Sequence, residues 1–229
     1  KEKVEKKDWP RMLCCAIFGM CINMLFFFKG LSLSTPINSS VIITVSPVMV
    51  LILASIILKE KITFLKGVGI AFGLSGALAL VVFSTDSVTN APNIPLGNLM
   101  FIVNAFSYGL YLVIVKPLTK KYHAITLMKW LFLMGVFLNL PVTYSEFVAV
   151  DWFHLPFDAI WRMAFVVAGT TFSTYLLNIY ALKQLSASTI SVFIYLQPLI
   201  AIIYAILVGA DQLTTIKVGS SIALATPTR

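Results

Sequence analysis

Apolar positions in this chain come in long runs rather than in alternation. Seven stretches, 12–28, 41–58, 65–84, 97–116, 125–145, 163–182 and 187–208, stay apolar over about the 17–25 residues that a membrane helix requires. An eighth, 215–225, has roughly half that length. Each long run is read as a helix, because hydrocarbon offers no water to an unpaired backbone N–H or C=O. Composition agrees: of 229 residues 59% are hydrophobic and 11% charged, against about 25% charged in a soluble domain. With a mean hydropathy of +0.94, a 25.3 kDa chain could not bury so much apolar surface in one soluble core. The expected fold class is an all-α polytopic membrane protein.

The net charge of +8 would fit a nucleic-acid partner, but no binding motif accompanies it, and its placement tells more. Thirteen basic residues fall on alternate loops: Lys1, Lys3, Lys6, Lys7, Arg11, Lys59, Lys61, Lys66, Lys116, Lys120, Lys121, Lys129 and Lys183. The opposite loops and helix ends carry three, Lys29, Arg162 and Lys217. Positive residues favour the cytoplasmic side, so the N-terminal segment is expected there. The opening KEKVEKKDWPR has no signal-peptide core or cleavage site, and a missing N-terminus is expected. Cys14, Cys15 and Cys21 share one apolar run without CxxC spacing or a nearby His, so neither a disulfide framework nor a zinc site is indicated.

Laying Pro47 over Pro198, an offset of 151 residues, brings LSLSTPINSSVIITVSPVM into step with LKQLSASTISVFIYLQPLI. Leu31 falls on Leu182, Ser40 on Ser191, Ile43 on Ile194 and Lys66 on Lys217. The first copy ends at a basic KEK loop and the second at the acidic Gly209-Ala210-Asp211 loop, so the copies point opposite ways. Weak inverted symmetry of this kind marks secondary transporters.

With these residues the chain resembles the EamA-like members of the drug/metabolite transporter superfamily. The resemblance rests on an apolar helix, a Ser/Thr turn, a helix with a central proline and then an acid, met by Pro47 with Glu60 and by Pro198 with Asp211. It implies two inverted five-helix repeats, of which about eight of ten helices are present here, helices 1 and 2 being absent and helix 10 cut short. Residues 1–84 would be the last three helices of the first repeat, 85–96 the connecting loop and 97–229 the second repeat. It further implies an exporter of small organic metabolites such as amino acids or drugs, in a bacterial inner membrane.

No acid and no His lies in the middle of a run, which argues against a carboxylate proton relay and shifts the expected site toward neutral polar groups. Asn104, Ser107, Tyr108 and Tyr111 stand at i, i+3, i+4 and i+7, and Thr171, Thr174, Tyr175 and Asn178 repeat that spacing, so each set lies on one helix face. Ser40, Thr44 and Pro47 are matched by Ser191, Tyr195 and Pro198, and the amides Asn23 and Gln197 complete the expected substrate cavity. The competing reading is interhelical glue, since such groups commonly join membrane helices. Each proline frees a carbonyl four residues back, that of Ile43 or Ile194, so Pro47 and Pro198 read as hinges or as static kinks. Thr35 and Ser186 sit at matching N-cap positions. Lys29 reads as an anion contact or as a side chain snorkelling to the interface. Glu60 and Asp211 are expected to tie neighbouring helix ends together, with gating as the alternative. Gly69 and Gly73 form a GxxxG that suits close packing within the monomer or in a homodimer.

The expected function is transport by alternating access between the repeats, with a small-molecule substrate and the lipid bilayer as partners, no nucleic acid, no cofactor, no metal and no catalytic residue. A membrane receptor or scaffold would not require two inverted copies. An intramembrane enzyme would need a nucleophile with a base, or metal ligands, at membrane depth.

Overall fold

The computed structural model describes residues 2–83, 91–197 and 200. All regular elements among them are helical. In chain order they are α1 (Lys6–Leu33), α2 (Pro36–Ile43), α3 (Ser46–Ile57), α4 (Phe64–Phe83), α5 (Ile94–Thr119), α6 (Ala124–Ala149), α7 (Phe157–Gln184) and α8 (Ala187–Val192), the last followed by a tight turn, Phe193–Tyr195. Four of these, α1, α5, α6 and α7, are long and apolar enough to cross a membrane. At a rise of 1.5 Å per residue their 26 or 28 residues span about 40 Å, more than the roughly 30 Å of hydrocarbon. They outrun the apolar stretches that announce them because charged and aromatic residues carry the helix on through the headgroup layer. The run 41–58 is the exception: the chain breaks at Thr44 and Val45, giving two shorter helices with Pro47 buried in the first turn of the second.

Helix starts follow capping chemistry. Thr35 Oγ1 accepts the Asn38 N–H at 3.1 Å before α2, and Ser186 Oγ accepts the Thr189 N–H at 3.1 Å before α8. Asn93 Oδ1 accepts the Leu96 N–H ahead of α5, whose first turn holds a proline.

α5 is the central helix. Half of its apolar window is buried, against 28% for α1, 22% for α6 and 17% for α7. Small residues bring α1 against it: a Cβ at Gly97 would lie 2.5 Å from the Ser34 Cβ and 2.9 Å from the Gly30 carbonyl oxygen. Met12, Cys15, Ala16 and Met20 of α1 then close a core with Tyr111, Leu112, Val115 and Leu118 of α5, Leu127 and Leu131 of α6, and Ile179 and Leu182 of α7.

At one pole the start of α1 meets the α5–α6 turn. Asp8 Oδ2 accepts the Tyr122 hydroxyl at 2.6 Å and pairs with Lys121 at 2.5 Å. Glu5 pairs with Lys121 at 2.7 Å, and Glu2 accepts the His123 N–H at 3.0 Å. Lys116, near the end of α5, donates to the Leu182 and Leu185 carbonyls at the end of α7. α1 therefore starts at the pole where α7 ends, and the two run in opposite directions. Moving Lys6–Leu33 by 151 positions gives 157–184, the bounds of α7.

A hydrogen bond from Lys121 holds the Glu5 carboxyl below its ordinary value of 4.5. A depressed carboxylate stabilises the docked segment above its ordinary value, and that stabilisation is lost as pH falls through the lowered one. The protection of residues 2–8 against hydrogen exchange, taken relative to the intrinsic rate at each pH, should therefore fall as pH drops below about 4.5. In Lys121→Met the same segment should already exchange fast at neutral pH. Gly97→Ala should lower stability by about 1–3 kcal/mol, the usual range for overpacking, read as a fall in the thermal midpoint in detergent.

Candidate functional site

In the middle of α1, residues Ile17–Ile22 form a π-helical turn in which the Asn23 N–H bonds five residues back to the Phe18 carbonyl. Such wide turns loosen the regular ladder and recur at functional sites. α7 carries a comparable turn, Val166–Ser173, and the two turns end at positions separated by the same 151 residues. In α7 the helix serves its own carbonyls: Ser173 Oγ donates to Ala168 O at 2.7 Å and Thr170 Oγ1 to Val166 O at 2.8 Å. In α1 the donors arrive from other helices.

Four side chains converge on that turn. Ser107 of α5 donates to the Phe18 carbonyl at 2.7 Å, and Tyr175 of α7 donates to the Gly19 carbonyl at 2.6 Å with Asn23 Oδ1 beside it at 3.1 Å. Asn139 of α6 donates to the Met20 carbonyl at 3.0 Å. Asn104 Nδ2 donates to the Asn23 carbonyl at 2.7 Å, and Asn23 Nδ2 returns a bond to the Asn104 carbonyl at 3.3 Å. One layer out, Asn178 donates to the Tyr108 hydroxyl at 3.1 Å. Gly19 makes room: a Cβ there would lie 2.5 Å from the Tyr111 ring. That ring is fully buried, 5.4 Å from the Tyr175 ring, and its hydroxyl finds no partner among the described residues.

Beside this cluster, between α1 and α6, lies an open-sided cavity of about 280 Å³. Met20, Met24, Phe132, Val136 and Leu140 make its walls apolar, while Asn139 and Thr143 supply polar atoms. Gly135 forms its floor, where a Cβ would approach the Met20 Cβ to 2.9 Å.

The structure thus brings Asn23, Asn104, Ser107, Tyr108, Tyr111, Tyr175 and Asn178 into one layer. Thr171 is half-buried and Thr174 exposed on α7. Thr44, Ser191 and Tyr195 are buried around α3 and α8, and Gln197 is exposed. Lys29 is exposed in the last third of α1. Pro198 and the side chain of Ser40 lie outside the described residues. Asn139 escaped the sequence reading, although Gly135, Asn139 and Thr143 stand four residues apart on one face of an otherwise apolar run. No three of His, Cys, Asp and Glu gather as metal ligands among the described residues.

A profile of the EamA-like transporter family matches residues 1–82 and 95–226. An uncharacterized transporter of Archaeoglobus fulgidus is 29% identical over 220 residues, spanning 96% of this chain and 76% of its own length. The uncharacterized transporter YyaM of Bacillus subtilis is 28% identical over 218 residues, spanning 95% and 70%. A solved structure, described as "Crystal structure of protein", superposes with a TM-score of 0.75 at 15% identity and covers 94% of this chain and 73% of its own, a likeness of fold.

Removing the Tyr175 hydroxyl leaves two acceptors in α1 without their donor. Tyr175→Phe should cost about 0.6–2 kcal/mol, measured by thermal or detergent unfolding, and Ser107→Ala a similar amount.

Proposed function

The chain belongs to the EamA-like transporter family, and from that membership we propose that it carries a small organic solute across the membrane by alternating access between two inverted repeats. The protein is an integral membrane protein with relatives named as transporters. The repeat reading draws support from α1 and α7, which run in opposite directions with bounds and widened turns in register at 151 residues.

One observation carries the site: neutral donors from three helices meet at the widened turn of α1, next to a cavity with apolar walls and two polar side chains. The solute binds there, in the layer of Asn23, Asn104, Tyr108, Tyr175, Asn178 and Asn139. At about 280 Å³ the cavity is at the lower edge of ligand pockets, about 300–1,000 Å³, so it favours an amino acid or a metabolite of that size over a larger drug. Pro47, at the break between α2 and α3, and Pro198 serve as hinges. Lys29 offers a positive charge to an approaching anionic group. Transport is outward, the N-terminal segment is cytoplasmic, and the membrane is a bacterial inner membrane. The bilayer covers the exposed face of α7, where a second copy is also a candidate partner.

The test is counterflow into proteoliposomes with a panel of amino acids and related metabolites. Val136 lines the cavity and is 58% exposed, so Val136→Trp fills the space without disturbing the core. It should cut solute-specific exchange at least about tenfold, the factor that roughly 1.4 kcal/mol of lost binding gives. Asn104→Ala with Tyr175→Phe should do the same, and Pro47→Ala should slow exchange without abolishing it. Exchange untouched by Val136→Trp would move the solute elsewhere, and no exchange across the panel would favour a receptor or scaffold.

A further inference from the structure

The pole that holds Asp8 and Lys121 carries a second polar cluster, which joins segments 127 and 128 residues apart in sequence. α3 ends in a turn where the Glu60 N–H returns to the Ala54 carbonyl at 3.2 Å, with Lys59 at φ 56. That left-handed conformation is unfavourable for a side chain with a Cβ, and here it sends the chain back so that Glu60 faces the α7–α8 joint.

One carboxylate oxygen of Glu60 accepts the Ala187 N–H at 3.2 Å, and the other accepts the Ser188 hydroxyl at 2.6 Å. Lys66 of α4 stands 3.9 Å from the same carboxylate and donates to Ser188 Oγ at 3.1 Å. On the other side of the joint, Lys116 takes the Leu182 and Leu185 carbonyls. An anion therefore meets the free amide of α8 and a cation meets the free carbonyls of α7, as the partial charges of helix ends require. The Glu60 side chain is only 15% exposed, so water competes weakly for it in this arrangement.

α1, α5, α6 and α7 are tied together at depth through the widened turn. α3 and α8 each begin or end at a break in the chain, and they pack against one another. Resting on the transport reading, we infer that Glu60 is a latch: its carboxylate holds the foot of α3 to the start of α8 and keeps this pole closed, and the pole opens when Ala187 and Ser188 release it. The location makes release reversible. At the end of the bundle, water takes over the freed carboxylate, hydroxyl and amide, whereas bonds at the widened turn have no such replacement.

Spin labels at Lys61→Cys and Gln184→Cys, both exposed positions, read the separation across the joint without touching the latch. The protein is placed in lipid nanodiscs with Cys14→Ser, Cys15→Ala and Cys21→Ala, and distances are measured by double electron–electron resonance. Glu60→Gln should raise the ratio of a long-distance to a short-distance population about tenfold, as expected for weakened hydrogen bonds to a charged group. Ser188→Ala should shift it the same way by less. An unchanged distribution in Glu60→Gln, or a lower melting temperature without a second population, would overturn the latch and leave Glu60 a helix cap. Counterflow on the same variants separates the two readings. Opening without exchange in any variant keeps the latch and removes transport, whereas exchange without opening keeps transport and removes the latch.

Discussion

A backbone carbonyl loosened inside hydrocarbon has to be met by a donor, and in this protein that requirement organises the middle of the bundle. The wide turn at Ile17–Ile22 presents the carbonyls of Phe18, Gly19 and Met20 to three neighbours, and Ser107, Tyr175 and Asn139 answer one each. Because the donors sit on α5, α7 and α6, meeting the requirement also fixes where those helices pass α1. Gly19 and Gly135 allow the approach, since a Cβ on either would strike Tyr111 or Met20. The cavity beside Met20 and Asn139 adjoins the same arrangement, and one amide and one threonine, Asn139 and Thr143, interrupt its apolar lining.

Charge is kept out of that layer and gathered at the poles. An ion at the bilayer centre costs several kcal/mol on insertion scales, whereas at a pole water and helix ends share the burden. Asp8, Glu5 and Lys121 pin the start of α1 to the α5–α6 turn, and Glu60, Lys66 and Lys116 pin the α7–α8 joint. The bundle thus has neutral, geometrically demanding bonds at mid-depth and charged bonds that water can replace at its end.

Much of this was legible in the residues. The apolar runs placed the long helices, although α1 and α7 extend well past 12–28 and 163–182 because interfacial residues continue a helix as readily as apolar ones. The 151-residue offset drawn from Pro47 and Pro198 is the offset at which the bounds of α1 and α7 coincide, and the caps at Thr35 and Ser186 obey it too. The stripe Asn104, Ser107, Tyr108 and Tyr111 turns inward on one face of α5, as spacing requires. The widened turn itself had no signal, since IFGMCI reads as ordinary apolar helix. Asn139 was passed over because a lone amide on an apolar run does not say which way it faces.

Composition and periodicity by themselves determined a helical membrane protein with neutral polar stripes at depth and basic residues on alternate loops, because those features follow from transfer free energies and charge placement along each segment. Only the tertiary structure decided which donor serves which carbonyl. Tyr175 meets Gly19 across 156 residues of sequence, Asn139 meets Met20 across 119 and Ser107 meets Phe18 across 89. Partners that far apart are selected by how helices cross and by where a glycine lets them touch, and no local pattern along the chain encodes that choice.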